Sequence, residues 1–237
     1  MAEYKEFHIE KKFGLKIVMT ILFWGALWGI VEATLGTILH LPGFEGTGLF
    51  FASSVIIIPI AYCLMANCYK RTGTFYSVYL MGIIAGLIKL TVGFVIGFID
   101  RVYMPAIYIV VEALAMGSAL AIFRPTNVLS LKTFASIVAA NTTYQLIYLS
   151  ITAMMGNNAF ASMEAFSDRG VKYLFTINCL AILYSFVIGS IAFGGFKLAK
   201  KLNLNTKFDL NKIITSPITV SVALVLSIGL TIGLALI

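Results

Sequence analysis

The chain has 237 residues, of which 60% are hydrophobic and only 11% are charged, and its formal net charge at pH 7 is +7. Because a soluble domain carries about 25% charged residues, this composition excludes an ordinary soluble protein and indicates an integral membrane protein. The apolar runs are too long and too continuous for the alternating strands of a membrane barrel, which leaves transmembrane helices.

Seven apolar segments are each long enough for a membrane-spanning helix, which needs about 20 residues. Polar stretches and breaks that contain glycine or proline separate them. The predicted spans are 17–39, 49–68, 76–98, 103–123, 129–155, 172–196 and 214–237. We therefore predict an all-α integral membrane protein whose bundle has six to seven transmembrane helices.

The spans divide the chain into four parts. The first 16 residues are polar and charged, and the apolar run that follows has no small-residue cleavage site, so we expect a retained first span and no cleaved signal peptide. The parts are a cytoplasmic amino-terminal segment at 1–16, a six-helix membrane domain at 17–197, a cytoplasmic linker at 198–213 and an additional carboxyl-terminal transmembrane helix at 214–237.

The basic residues predict the orientation of these spans. If seven spans alternate, 13 of the 17 lysines and arginines fall on the amino-terminal side, three fall on the opposite side, and Lys89 lies inside a span. Positive residues gather on the cytoplasmic side of membrane proteins, so the amino terminus is expected in the cytoplasm and the carboxyl terminus outside. We expect a multi-pass protein of a bacterial-type plasma membrane, and the distribution of basic residues explains the net charge without a nucleic-acid partner.

Three ionisable residues interrupt the apolar spans: Glu32 in the first, Lys89 in the third and Glu112 in the fourth. A charge at the bilayer centre costs at least about 2.5–3.5 kcal/mol. The predicted topology places all three between the bilayer centre and its outer third. A pair between Lys89 and one acid recovers part of the cost, and the other acid is left to be protonated or to meet a cation. The trio is either functional or an internal ion pair that fixes helix register.

Further polar and aromatic side chains are predicted at the same depth. The amides are Asn141, Gln145 and Asn178, which are candidates for hydrogen bonding, and the stacking candidates are Trp28 and Tyr148. Polar groups that converge among apolar walls are typical of a ligand-binding cavity. We therefore predict a polar cavity in the outer half of the bundle that opens to the outside.

The cysteines do not indicate a metal site. Cys63, Cys68 and Cys179 form no CxxC pair and are scattered in apolar segments, so they predict buried small residues rather than a disulfide framework or a zinc site. We expect neither a metal nor another cofactor.

A glycine-rich loop, LPGFEGTG at 41–48, follows the first span on the predicted outer side, just above Glu32. Glycine permits backbone rearrangement, so the loop is either a gate over the cavity or a plain connection. The candidate gate residues are Pro42, Gly43, Gly46 and Gly48.

Small residues recur at every fourth position of the first span, at Gly25, Gly29 and Ala33. Such a stripe lets another helix approach closely. It indicates either an interface with a partner protein or packing inside the bundle.

Three features of the first four spans are the small-residue stripe with its glycine-rich loop, GLIKLTVGF at 86–94, and MPAIYIVVEALAMG at 104–117. In the last of these a proline opens a helix that carries a glutamate. Together they resemble the substrate-binding S components of energy-coupling factor (ECF) transporters. The resemblance covers the first six spans. It implies a six-helix membrane protein that binds a vitamin or similar nutrient near its outer face. It also implies association with a membrane scaffold subunit and cytoplasmic ATPases, with Gly25, Gly29 and Ala33 nearest to the face that contacts the scaffold. The seventh span is a departure, because family members usually have six.

We therefore expect a non-enzymatic, substrate-binding subunit for nutrient uptake. Two alternatives remain: a proton-coupled secondary transporter that uses Glu32 or Glu112 as the proton site, and a membrane scaffold whose buried ion pair is structural. The sequence contains no HExxH or GxSxG motif that would indicate an enzyme. It also contains no Walker A motif, so ATP hydrolysis is expected from partner proteins.

Overall fold

The computed structural model describes residues 14–39, 50–97, 100–125, 130–154, 182–195 and 210–236, together with positions 179, 197 and 198. Every regular element within these ranges is a helix, which confirms the all-helical prediction for the described part of the chain. The helices are α1 (Leu15–Leu39), α2 (Phe50–Thr72), α3 (Tyr76–Leu90), α4 (Gly93–Ile96), α5 (Asp100–Phe123), α6 (Leu131–Met154), α7 (Ile182–Gly195), α8 (Leu210–Ile214) and α9 (Pro217–Ala235).

Four segments of the described chain are long and apolar enough to cross a membrane. They are Leu15–Leu35, Tyr76–Ile96, Val102–Phe123 and Pro217–Ala235. They correspond to α1, to α3 with α4, to α5 and to α9, and they confirm a multi-pass membrane protein. The helices α2 and α6 have 23 and 24 residues, which is also a sufficient length. The count of six to seven spans remains a prediction.

The helices pack as a series of neighbouring pairs: α7 with α6, α6 with α5, α5 with α3, α3 with α1, and α1 with α9. Helix α2 packs against α1 and, less extensively, against α3 and α5. The largest group of buried apolar side chains comes mainly from α1, α2, α3, α5 and α6. Helix α1 is therefore central, because α2, α3 and α9 all pack against it.

Close approach of α3 and α5 depends on a small residue at the contact. A Cβ atom added at Gly82 of α3 would overlap the Cβ of Ala113 on α5, so only a hydrogen fits there. One turn further along α3, Gly86 lies against the backbone carbonyl of Ala106. These contacts show that α3 and α5 run antiparallel, and they set the distance between the helices that carry Lys89 and Glu112.

The small-residue stripe of α1 is covered from within the chain. Gly25 lies against Ile84 of α3, and a Cβ added at Gly29 would meet Ile88 of α3 and the hydroxyl of Ser227 on α9. Ala33 is also buried. These contacts favour packing inside the bundle over the open partner interface that the resemblance implies, because α3 and α9 already occupy this face.

Candidate functional site

Glu32 lies on α1 one helical turn after Trp28, and a hydrogen bond joins the two side chains. The indole Nε1 of Trp28 donates to Oε1 of Glu32 over 3.2 Å. Residues four apart lie on the same face of a helix. Trp28 is 0% exposed, so its ring is held by packing and orients the partly buried carboxylate. Trp28 was predicted to stack on a ligand, and it acts here as a hydrogen-bond donor to an acid.

Lys89 lies at the end of α3 and interacts electrostatically with Glu32 on α1. The two residues come within electrostatic range because α1 and α3 pack with Gly29 against Ile88, the neighbour of Lys89. The backbone tightens at the same place: the amide of Val92 donates to the carbonyl of Lys89 over 3.4 Å, and the amide of Thr91 donates to Ile88 over 3.1 Å. These bonds span three residues instead of four and separate α3 from α4. Such tight turns inside a span often mark functional positions.

Glu112 has the least compensated charge of the three. It lies near the middle of α5, its side chain is 4% exposed, and its Oε1 has no hydrogen-bond partner among the described residues. It also interacts electrostatically with Glu32, which carries the same sign of charge when both are ionised. A buried polar atom without a partner is costly. The structure therefore contains an acceptor that lacks a donor.

Three tyrosines extend this group across α5 and α6. The ring centroids of Tyr108 and Tyr148 are 4.6 Å apart in an edge-to-face arrangement, and those of Tyr144 and Tyr148 are 6.0 Å apart. Tyr144 interacts electrostatically with Glu112 and Glu32. Four helices thus contribute to one assembly, which we name the polar cluster. Its members are Trp28, Glu32, Lys89, Tyr108, Glu112, Tyr144 and Tyr148.

The sequence analysis missed Tyr108 and Tyr144. A usable signal was present, since Tyr108 precedes Glu112 by four residues, Trp28 precedes Glu32 by four, and Tyr144 precedes Tyr148 by four. This spacing places each aromatic ring on the same helix face as a residue already singled out.

Of the predicted amides, Asn141 is engaged away from the polar cluster. Asn141 is buried at the contact of α6 and α7, where its Nδ2 donates to Oγ of Ser185 over 3.0 Å. Gln145 is partly buried on α6 beside Tyr144. Asn178 lies outside the described residues. So do the candidate gate residues Pro42, Gly43, Gly46 and Gly48.

Replacing Ser185 with alanine is expected to destabilise the α6–α7 contact. The change removes the acceptor of the Asn141 amide, and interhelical hydrogen bonds of this kind contribute about 0.6–1.7 kcal/mol in membrane proteins. A lower temperature of thermal unfolding in detergent measures the loss. Ser190 is the matched control on the same helix, because its hydroxyl is exposed and, among the described residues, donates only to the carbonyl of Phe186 one turn earlier. Equal unfolding temperatures for Ser185→Ala and Ser190→Ala would contradict the assignment.

A separate groove of about 190 Å³ lies between α5 and α6. Its walls are mostly aliphatic, with hydroxyls only from Ser118 and Thr143, and it contains no ionisable side chain. It includes Leu114 but not Glu112, so it is distinct from the polar cluster.

Within the described ranges, no group of three or more His, Cys, Asp and Glu residues is placed to hold a metal ion. The sequence matches no protein-family model, no curated protein and no solved structure. The geometry of the polar cluster itself is therefore the guide to the function of the protein.

Proposed function

We propose that the protein is a substrate-binding membrane subunit for uptake of a small nutrient such as a vitamin, and that the ligand binds at the polar cluster. One observation carries this proposal. Two acids, one base and three tyrosines from four helices converge inside an apolar bundle, and Oε1 of Glu112 is buried there without a hydrogen-bond partner among the described residues.

The free-energy cost of burying ionisable groups in a membrane span supports a ligand-binding role for the polar cluster. Ionisable residues within membrane spans are expensive, and those that occur usually serve a function. A structural ion pair would need one acid and one base, whereas the cluster contains a second acid, Glu112, whose buried Oε1 meets no donor among the described residues. Ligand sites combine apolar walls with a few fixed polar groups, and this is the composition of the polar cluster.

The proposal includes the orientation and the partners that the sequence predicts. The cluster lies nearer to the carboxyl end of α1, which the distribution of basic residues predicts to be the outer end in a bacterial-type plasma membrane. As in the ECF S components that the sequence resembles, a membrane scaffold subunit and cytoplasmic ATPases would supply the energy. The scaffold would contact a face other than Gly25 and Gly29, because α3 and α9 cover those residues.

A second candidate function is a proton-coupled secondary transporter. The proximity of Glu112 to Glu32 favours it, since two neighbouring acids with one lysine leave one carboxylate that a proton can neutralise. In this alternative the cluster binds both the proton and the substrate, and no ATPase is required.

Native mass spectrometry of the gently purified protein tests the leading proposal. We expect a fraction of the wild-type protein to carry a small organic molecule, and we expect Glu112→Gln to lose it because the buried carboxylate is removed. Leu114→Ala is the matched control on α5, since Leu114 is exposed and lies outside the cluster; it should retain the adduct.

Two outcomes would decide against the proposal. An adduct that persists in Glu112→Gln would place the ligand outside the polar cluster. Uptake by the purified chain in liposomes without any ATPase, driven by a proton gradient, would favour the secondary transporter.

A further inference from the structure

The charge and lining of the polar cluster specify a class of ligand. We infer that the ligand is an organic cation with a planar apolar part and an N–H group that donates to Glu112. This inference depends on the proposed binding function and adds the substrate class.

The first argument is charge balance. The polar cluster contains two carboxylates and one ammonium group, so its formal charge is −1 when all three are ionised. The ammonium of Lys89 and the indole of Trp28 both act on Glu32, and no basic residue in the described part of the chain compensates Glu112. A bound monovalent cation makes the cluster neutral, whereas an anion would raise the charge to −2 in apolar surroundings, where unbalanced charge is costly.

The second argument is the chemistry of the missing partner. Oε1 of Glu112 is buried and has no hydrogen-bond partner among the described residues. An ionised carboxylate accepts hydrogen bonds and cannot donate them. In its ionised form Glu112 therefore needs a donor to complete this site, and a charged N–H gives the strongest bond of this kind.

The third argument is the aromatic lining. Tyr108 lies one turn from Glu112 on α5, its ring contacts that of Tyr148, and Tyr144 lies within electrostatic range of Glu112. Aromatic rings attract organic cations, more strongly when water is excluded. A metal ion would leave these rings unused, and the described residues provide no metal-binding group of three or more His, Cys, Asp and Glu.

Three probes of nearly the same shape separate the charge classes: benzamidinium, benzamide and benzoate. Binding to the wild-type protein in detergent at neutral pH is measured from tryptophan emission, to which only the two tryptophans of the chain contribute. One of them is Trp28, which is hydrogen bonded to Glu32 within the cluster. We expect benzamidinium to bind at least about 10-fold more tightly than either other probe, as a charge-assisted hydrogen bond implies.

Glu112→Gln keeps the shape of the side chain and removes its charge, so it should abolish the preference for benzamidinium. Leu114→Ala on the exposed side of α5 should preserve it. If Glu112→Gln does not accumulate, the wild-type series of three probes still decides the question.

Each remaining outcome counts against the inference. Tighter binding of benzoate or benzamide, or a native adduct that is neutral, anionic or a metal ion, overturns the cationic class. If the native adduct is a neutral or anionic organic molecule, the proposed binding function stands although the cationic class fails. If no probe binds and the purified protein carries no adduct, the inference and the proposed function both fail.

Discussion

Replacing Gly82 with leucine is expected to separate α3 from α5 and to prevent the bundle from reaching its native packing. A single Cβ at this position would already overlap the Cβ of Ala113, and leucine adds three further carbons. Overpacking of a core costs about 1–3 kcal/mol and sometimes more; here the obstacle is a short side chain on a facing helix, which cannot rotate away. We expect loss of the monodisperse peak in size-exclusion chromatography of the detergent-extracted protein.

The matched control is Gly229→Leu on α9. A Cβ added at Gly229 meets no atom within 4 Å, and this residue also lies in a candidate span. The control should elute like the wild type, which shows that leucine in a span is not harmful by itself. A Gly82→Leu protein that elutes normally and unfolds at the wild-type temperature would contradict the close contact of α3 and α5.

The pair formed by Glu32 and Lys89 is expected to show a large energetic coupling. Glu32→Gln leaves the ammonium without its neighbouring carboxylate, and Lys89→Met leaves two acids without a base, so each single change should destabilise the protein. The double variant removes both charges and should be more stable than the sum of the single effects predicts. For residues in one electrostatic network we expect a coupling of about 0.5–3 kcal/mol.

The coupling is measured by a double-mutant cycle on the free energy of unfolding in mixed detergent micelles. Lys89→Met combined with Ser190→Ala is the control cycle, because the described contacts of Ser190 lie within α7, and its effects should add. Additive effects of Glu32→Gln and Lys89→Met would show that the two charges do not stabilise each other.

Hydropathy and charge were sufficient to predict the class of protein and the helices that carry the ionisable residues. The breaks between spans contain proline, glycine and polar residues, and a helix in lipid must satisfy its own backbone, so the position of each helix along the chain follows directly. Depth also follows, because residues advance by a constant rise along a helix. The position of each helix along the chain and the depth of each residue in the membrane together predict that Glu32, Lys89 and Glu112 lie in one layer.

Rotation of the helices about their axes was harder to predict. In a soluble helix the apolar stripe marks the inner face, whereas a membrane helix is apolar on all sides. The sequence therefore did not show which acid interacts with Lys89, or that Tyr144 lies within electrostatic range of Glu112. The hydrogen bond from Asn141 to Ser185 was hidden for the same reason, since a serine in an apolar helix has no distinctive pattern.

The identity of the helix that covers α1 was also beyond the sequence. Small residues at Gly25 and Gly29 predict that something approaches closely, but both a partner protein and a later span of the same chain satisfy that pattern. The structure places Ser227 of α9 over Gly29, a contact between residues almost 200 positions apart.

That contact has a consequence for biosynthesis. During translation α1 enters the bilayer long before α9 leaves the ribosome, so the groove beside Gly29 stays lined by lipid until nearly the whole polypeptide has been made. Closure of the bundle on this side is therefore a late event in assembly, and a nascent chain that is released before Pro217 leaves this notch open to lipid.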